Sequence, residues 1–363
     1  MKAIKTLAII LLFISSAQAQ SDSSWSKKPT INFGGFIDAF YVYDFNEPAD
    51  SKRQPFLFNH NRHNEFNINL GLLEVQVNHE KYRANLGLQS GTYPQDNYAA
   101  EASVFRNVYQ ANVGISLNKK NNLWLDAGLF PSNLGFENAI SMDNLTLTRS
   151  LAAENSPYFL TGAKLTYNPT SKLELVALIS NGWQRIERLE ANSIPSFGTQ
   201  VNYQLTEKIN LNWSTFIGSE YPDTTRRMRY FNNFYGTFKL TEKWKMIAGV
   251  DVGLEQARKE SDRYESWYVP TLIAQYKWND RWSTAIRAEY LSVEAEVILP
   301  QADPNGVGIW GTSLNIDYTP NKMVAWRIEG RYLENKDSDF NVLTSSPYTS
   351  FFISTSLAVK FGK

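Results

Sequence analysis

The chain contains no cysteine, which excludes a disulfide framework and the lipidated cysteine of a lipoprotein. It carries no surplus of charge either, with 36 Lys and Arg against 36 Asp and Glu. A nucleic-acid binder needs a basic surplus to neutralise phosphates, so no nucleic-acid partner is expected. Long apolar runs are missing too. The one candidate, Leu7 to Ile14, falls well short of the roughly 20 apolar residues a spanning helix requires. Histidine is scarce: His60, His63 and His79 are all there is. His60 and His63 with Glu65 form a weak candidate metal set, read more simply as solvated polar groups of a loop, and His79 sits in a turn without an evident partner. A nucleophilic hydrolase needs a positioned base beside its nucleophile. No histidine falls in the middle of a strand, phosphate-cradling glycine motifs and zinc spacings are absent, and neither an enzyme nor a cofactor is expected.

The N-terminus MKAIKTLAIILLFISSAQAQ has a basic start, a short apolar stretch and the small-x-small Ala17-Gln18-Ala19, the pattern of a secretory signal peptide. Residues 1–19 are therefore expected to be removed. A short periplasmic segment, 20–29, then leads into a single structural unit, 30–363.

What the chain has in abundance is aromatic side chains, 14% of residues, in a chain of mean hydropathy −0.37. Its dominant signal is alternation with period two, which places successive side chains on opposite faces of a strand. Phe351, Ile353, Thr355, Leu357, Val359 and Phe361 share one face, opposite Phe352, Ser354, Ser356, Ala358 and Lys360. Tyr109, Ala111, Val113, Ile115 and Leu117 read the same way against Gln110, Asn112, Gly114 and Ser116. About sixteen such runs occur, and no helix is apparent. Seven short polar turns, including TEK at both 206–208 and 241–243, alternate with eight longer connections, the longest at 131–157. This count predicts an all-β, transmembrane, antiparallel up-and-down barrel of about sixteen strands, with short periplasmic turns and long extracellular loops.

A soluble sandwich would alternate too, but three features favour lipid. Rings cluster at strand ends beside the turns (Tyr82, Tyr167, Trp244, Tyr276, Trp278, Trp282, Tyr318, Trp326), where an aromatic belt sits at headgroup level. Charges within strands keep to the polar register, as at Arg83, Lys164, Lys245, Asp251 and Arg287. A basic residue facing mid-bilayer lipid costs about 2–4 kcal/mol, so that register is enforced. Closure also removes the open edges that a sheet of this size would expose.

The stretches GGFIDAFYVYDFN (34–46), NHNRHNEFNINLGLLEV (59–75), GLFPSNLGFENA (128–139), TRSLAAENSPYFLTGAKLTY (148–167) and SNGWQ (180–184) resemble the OmpL-like β-barrel porins of Gram-negative outer membranes. The resemblance implies a barrel fold and a porin role in that membrane. The ending Phe361-Gly362-Lys363 departs from the terminal aromatic usual among outer-membrane proteins.

About sixteen strands leave room for an aqueous channel, so passive, weakly selective diffusion of small polar solutes is the expected function. The apolar third long connection is expected to fold inward, as the third loop of porins does, with Glu137, Asp143, Arg149 and Glu154 as constriction candidates and Val176 and Leu178 as inward residues to receive it. Arg287, Glu289, Asp317, Arg327, Glu329 and Arg331 would line the opposite wall. Three basic against three acidic groups imply weak ion selectivity or a bracing ladder of salt bridges. The alternative, a channel or binding protein specific for small anionic solutes, rests on the loop patch Arg226, Arg227 and Arg229. Expected partners are outer-membrane lipid and lipopolysaccharide, the barrel-assembly machinery, the solutes, and further copies of the chain should it form a homo-oligomer.

Overall fold

The computed structural model describes residues 23–294, 297–299, 306–335 and 348–362. The expected signal peptide lies outside these residues. The alternating runs form sixteen strands: β1 (Thr30–Asp44), β2 (Phe66–Asn78), β3 (Tyr82–Ser90), β4 (Val108–Ser116), β5 (Leu123–Pro131), β6 (Phe159–Thr170), β7 (Leu173–Ser180) and β8 (Ser196–Thr206). The second half comprises β9 (Ile209–Gly218), β10 (Arg229–Lys239), β11 (Trp244–Gln256), β12 (Tyr264–Lys277), β13 (Trp282–Val293), β14 (Val307–Asn321), β15 (Val324–Asn335) and β16 (Thr349–Gly362). Each pairs antiparallel with its neighbours in sequence, and β1 pairs with β16 to close the barrel. Closure satisfies the backbone of every strand, which hydrocarbon demands.

All seven short connections are tight turns, and the repeated TEK has a local cause. The hydroxyl of Thr206 accepts the Lys208 amide at 3.2 Å, and Thr241 likewise accepts the amides of Lys243 at 3.2 Å and Trp244 at 3.0 Å. Thr170 does the same for Lys172. A threonine side chain thus stands in for a backbone acceptor and sets the turn.

On the outer wall, Leu314, Ile286, Leu357 and Leu73 are more than half exposed, as a lipid-facing surface should be. Rings flank this band at both ends. Trp244 with Tyr276 and Trp282 with Tyr318 pair at the turn end, at 4.9 and 4.8 Å between centroids. At the loop end Tyr290 meets Trp310 at 4.5 Å and Phe45 meets Phe351 at 5.2 Å. Ile286→Arg is expected to lower stability by about 2–4 kcal/mol, read by denaturant titration in lipid, although Arg287 occupies the next position.

Two bulges revise the expected registers. One lies at Asn69, where Asp38 pairs with Leu70 but Ala39 with Ile68. A second slip lets Gly87 pair with Gln110 and Leu88 with Val108, leaving Tyr109 unpaired between them. A bulge re-aims one side chain. Tyr109, expected on the lipid face, is 5% exposed and packs among lumen residues including Tyr93, Tyr98 and Tyr158.

Call the eight long connections L1 (45–65), L2 (91–107), L3 (132–158), L4 (181–195), L5 (219–228), L6 (257–263), L7 (294–306) and L8 (336–348). Among the described residues, L1 to L5 fold back on one another and on the barrel. L1 is tied to L2 by Arg62 and Asp96 at 2.7 Å, and L4 to L2 by the Gln184 amide on Asn97 O at 2.9 Å. The Trp183 amide donates to Glu220 of L5 at 2.6 Å. Toward the loop end the inner wall is apolar: Phe40, Phe216, Phe231, Trp267, Leu291, Ile309, Leu333 and Phe352 form one cluster with Phe56 and Leu57 of L1 and Leu134 and Leu151 of L3. Toward the turn end it is polar and part-exposed, as at Asn85, Glu174, Gln275 and Ser283.

Candidate functional site

L3 crosses the lumen as a strap. Its neck is closed by the Ser132 amide on Tyr158 O at 3.0 Å, and from there two differently built stretches of wall hold it. The first half rests on β8 to β11. Gln200 and Ser214 donate to Asn133 O at 3.1 and 3.2 Å, and the Gly135 amide donates to Asn233 Oδ1 at 3.1 Å. These side chains belong to an amide ladder, Gln200 to Asn212 to Asn233, that ends on Asp251. Gly135 has φ 92, a backbone region that L side chains rarely adopt.

The second half is gripped by charges on β13 to β15. Arg287 donates to Thr148 O at 2.7 Å and to the hydroxyls of Thr146 and Thr148 at 3.0 Å. Arg327 reaches Ser141 O at 2.5 Å and Asn144 O at 3.1 Å, and Arg331 reaches Arg149 O at 2.9 Å. In the opposite sense Glu329 accepts the Thr148 amide and Glu289 the Leu151 amide, each at 2.6 Å. Asn315 accepts the Leu147 amide at 3.0 Å. The wall therefore satisfies both backbone donors and acceptors of a loop that has almost no secondary structure of its own, which is what permits such a segment to be buried.

The same charges neutralise one another. Arg287 lies 3.1 Å from Glu289 and 2.8 Å from Glu329, Arg331 2.6 Å from Glu289, and Arg327 2.7 Å from Asp317. All six expected wall charges are thus in the lumen and brought together, each no more than 5% exposed. They face the strap rather than open water. Elsewhere on the inner wall Arg83 pairs with Asp126 at 2.5 Å and Arg229 with Glu255 at 2.7 Å.

The four constriction candidates divide. Glu137 accepts the Ser150 amide at 2.8 Å and its hydroxyl at 2.5 Å; burial raises its pKa, with Arg287 and Arg149 pulling the other way. Arg149 lies 4.1 Å over the Tyr158 ring. Glu154 accepts Tyr158 OH at 2.6 Å and the Phe58 amide of L1 at 2.9 Å. Arg149 and Glu154 are buried and brace L3 and L1. Asp143 alone is exposed, paired with Lys360 of β16 at 2.7 Å. Lys360 was legible as an inward residue, but only the fold shows that L3 passes over it. Val176 and Leu178 do face inward, yet Leu178 packs on Phe130 and Leu160 of the strand ends beside L3.

The basic loop patch comes apart. Arg226 pairs with Asp223 and Arg227 lies 4.8 Å from the Tyr221 ring. Arg229 is a strand residue, 6% exposed inside the barrel. The histidines also differ from expectation. His60 and His63 are buried, not solvated; His60 Nε2 lies 2.9 Å from Asp38 Oδ2 and His63 Nδ1 accepts the Asp44 amide at 3.0 Å. His79 accepts the Lys81 amide at 3.1 Å and stacks on Tyr82.

Solved structures share this architecture. An anion-selective porin from Comamonas acidovorans matches with TM-score 0.62 at 8% identity, over 92% of this chain and 100% of that one. The outer-membrane channel DcaP of Acinetobacter baumannii gives 0.61 at 10%, over 92% and 98%. OmpT of Vibrio cholerae gives 0.60 at 10%, over 95% and 100%. At these identities the likeness is one of fold, a sixteen-strand barrel among outer-membrane porins. Comparison with curated protein sequences finds no match. The profile of one sequence family matches residues 30–361, nearly the whole barrel, and the chain belongs to that family, the OmpL-like beta-barrel porin-2 proteins.

Proposed function

We propose that the protein is an outer-membrane porin whose channel admits small polar solutes by passive diffusion with weak ion selectivity, and that the L3 strap sets its bore. Residues 1–19 direct export, and the assembly machinery inserts the barrel with its apolar wall in lipid and its loop end toward lipopolysaccharide. The observation that carries the selectivity is the pairing of charge. Arg83, Arg229, Arg287, Arg327, Arg331 and Lys360 each have a carboxylate within 3.1 Å. Selective filters present a ring of one sign, and these paired charges present none.

In planar bilayers under a salt gradient, the cation-to-anion permeability ratio is expected to stay within about threefold of unity. A strong preference for either sign, or no conductance, would overturn the reading. A channel specific for small anions would need free basic groups at its mouth, whereas Arg226 and Arg229 are paired with acids and Arg227 lies against the Tyr221 ring. Liposome swelling with neutral and anionic solutes of equal size separates the two: equal rates fit the unspecific pore, and a faster anion fits the specific one.

A further inference from the structure

L1 is built as a closed loop of its own. Lys52 and Arg62 form an isolated antiparallel bridge, and the Arg53 amide donates to Asn61 O at 3.2 Å, so residues 53–61 are pinched into a closed loop. Ser51 and Asn64, just outside the pinch, both have left-handed backbone, φ 58 and 56. Few residues other than glycine settle there; Glu47 and His60 share the conformation, but Ser51 and Asn64 are the two that flank the pinch on either side.

The loop is held at its edge by Arg62 on Asp96 of L2 at 2.7 Å, and its underside closes on the barrel through a further set of contacts. Phe56 and Leu57, 6% and 1% exposed, enter the apolar cluster with Phe40, Val42 and Leu151. Arg53 lies 4.1 Å over the ring of Phe352. His60 meets Asp38 of β1, and that same carboxylate accepts Ser141 of L3 at 2.7 Å and Ser356 of β16. Glu154 of L3 accepts the amides of Phe58 and Asn59 at 2.9 and 3.3 Å. Loop, strap and wall therefore share one carboxylate.

Arg53 Nε and Nη1, both amide atoms of Gln54, and His60 Nδ1 are buried without a hydrogen-bond partner among the described residues. Burial pushes the Arg53 pKa down to about 10. Orphaned buried polar atoms are costly, and water would satisfy them once the loop lifts. Two buried apolar side chains pull the other way. The geometry points to residues 52–62 as a lid over the L3 strap, hinged at Ser51 and Asn64 and latched to Asp38, Glu154 and, through Arg62, Asp96, which lifts to let solute pass. This rests on the porin reading above.

The test uses the full chain in planar bilayers, with two variants. In one, residues 53–61 are replaced by a short Gly-Ser linker between Lys52 and Arg62; in the other, Phe56→Ser and His60→Ala loosen the latch while keeping the loop. The first is expected to raise unitary conductance about threefold or more, as a wider aqueous path requires, and the second to increase the time spent open. Should the linker variant fail to fold, the double variant carries the test alone. A wild-type channel whose conductance and closures match those of the variants overturns the lid and leaves the porin standing. Silence from wild type and folded variants alike overturns both, whereas a silent wild type beside conducting variants identifies the docked lid as the closed state.

Discussion

Arg287→Met is expected to destabilise the folded barrel by about 3–5 kcal/mol, because it removes one partner of a buried charge network and leaves the others behind. Arg287 is 2% exposed and holds two carboxylates, two hydroxyls and a carbonyl. Without it, Glu289 keeps Arg331 at 2.6 Å and Glu329 keeps the Thr148 amide, but two acids then share one nearby arginine. The strap loses the Arg287 contacts at Thr146 and Thr148, so open-channel noise should rise with the loss of stability. Urea titration of the refolded protein measures the first effect and single-channel recording the second. The companion variant carrying both Arg287→Met and Glu329→Met removes acid and base together. It should recover much of the loss, since deleting a buried pair costs less than orphaning one member. A single variant as stable as wild type would mean that the network holds neither wall nor strap.

That network also shows where sequence reasoning succeeds and where it stops. Strand count, turn positions and the inward register of Arg287, Glu289, Asp317, Arg327, Glu329 and Arg331 follow from alternation, because lipid punishes a misplaced charge residue by residue. The bracing ladder of salt bridges among them was legible too, but their partners on the strap do not follow. Most are backbone groups of Ser141, Asn144, Thr148, Arg149 and Leu151, and a backbone carbonyl looks the same under any side chain. For the same reason Glu137, Arg149 and Glu154 read as constriction charges although they brace the loop from within. Local irregularity hid the rest. Tyr109 has the phase of a lipid-facing residue until one unpaired position turns it inward. His60 and His63, in what reads as a solvated loop, are buried because L1 folds back between L3 and β1.

The inner face also carries an apolar core that alternation alone assigns to no one, and Trp267 is its largest fully buried member. Its ring lies 6.1 Å from Phe231 in a stacked arrangement and 6.4 Å from Trp183 of L4 edge-on, with the Arg229 guanidinium 5.6 Å away. Gly253 on β11 makes room for it: a Cβ there would fall 2.0 Å from the indole. Trp267→Ala is therefore expected to cost about 3–5 kcal/mol, the range for emptying an aromatic site that cannot collapse. Rigid strands on either side prevent collapse here. The effect should be local as well as global, because Trp183 loses one of the three rings against which L4 is seated. L4 would then become susceptible to protease at the loop end while the membrane wall stays intact. Leu314→Ala is the control, since that side chain is 51% exposed on the outer wall and should cost far less in lipid. Equal losses at the two positions would mean that the loop-end lumen is not a packed core, and that the loops rest on the barrel without being held by it.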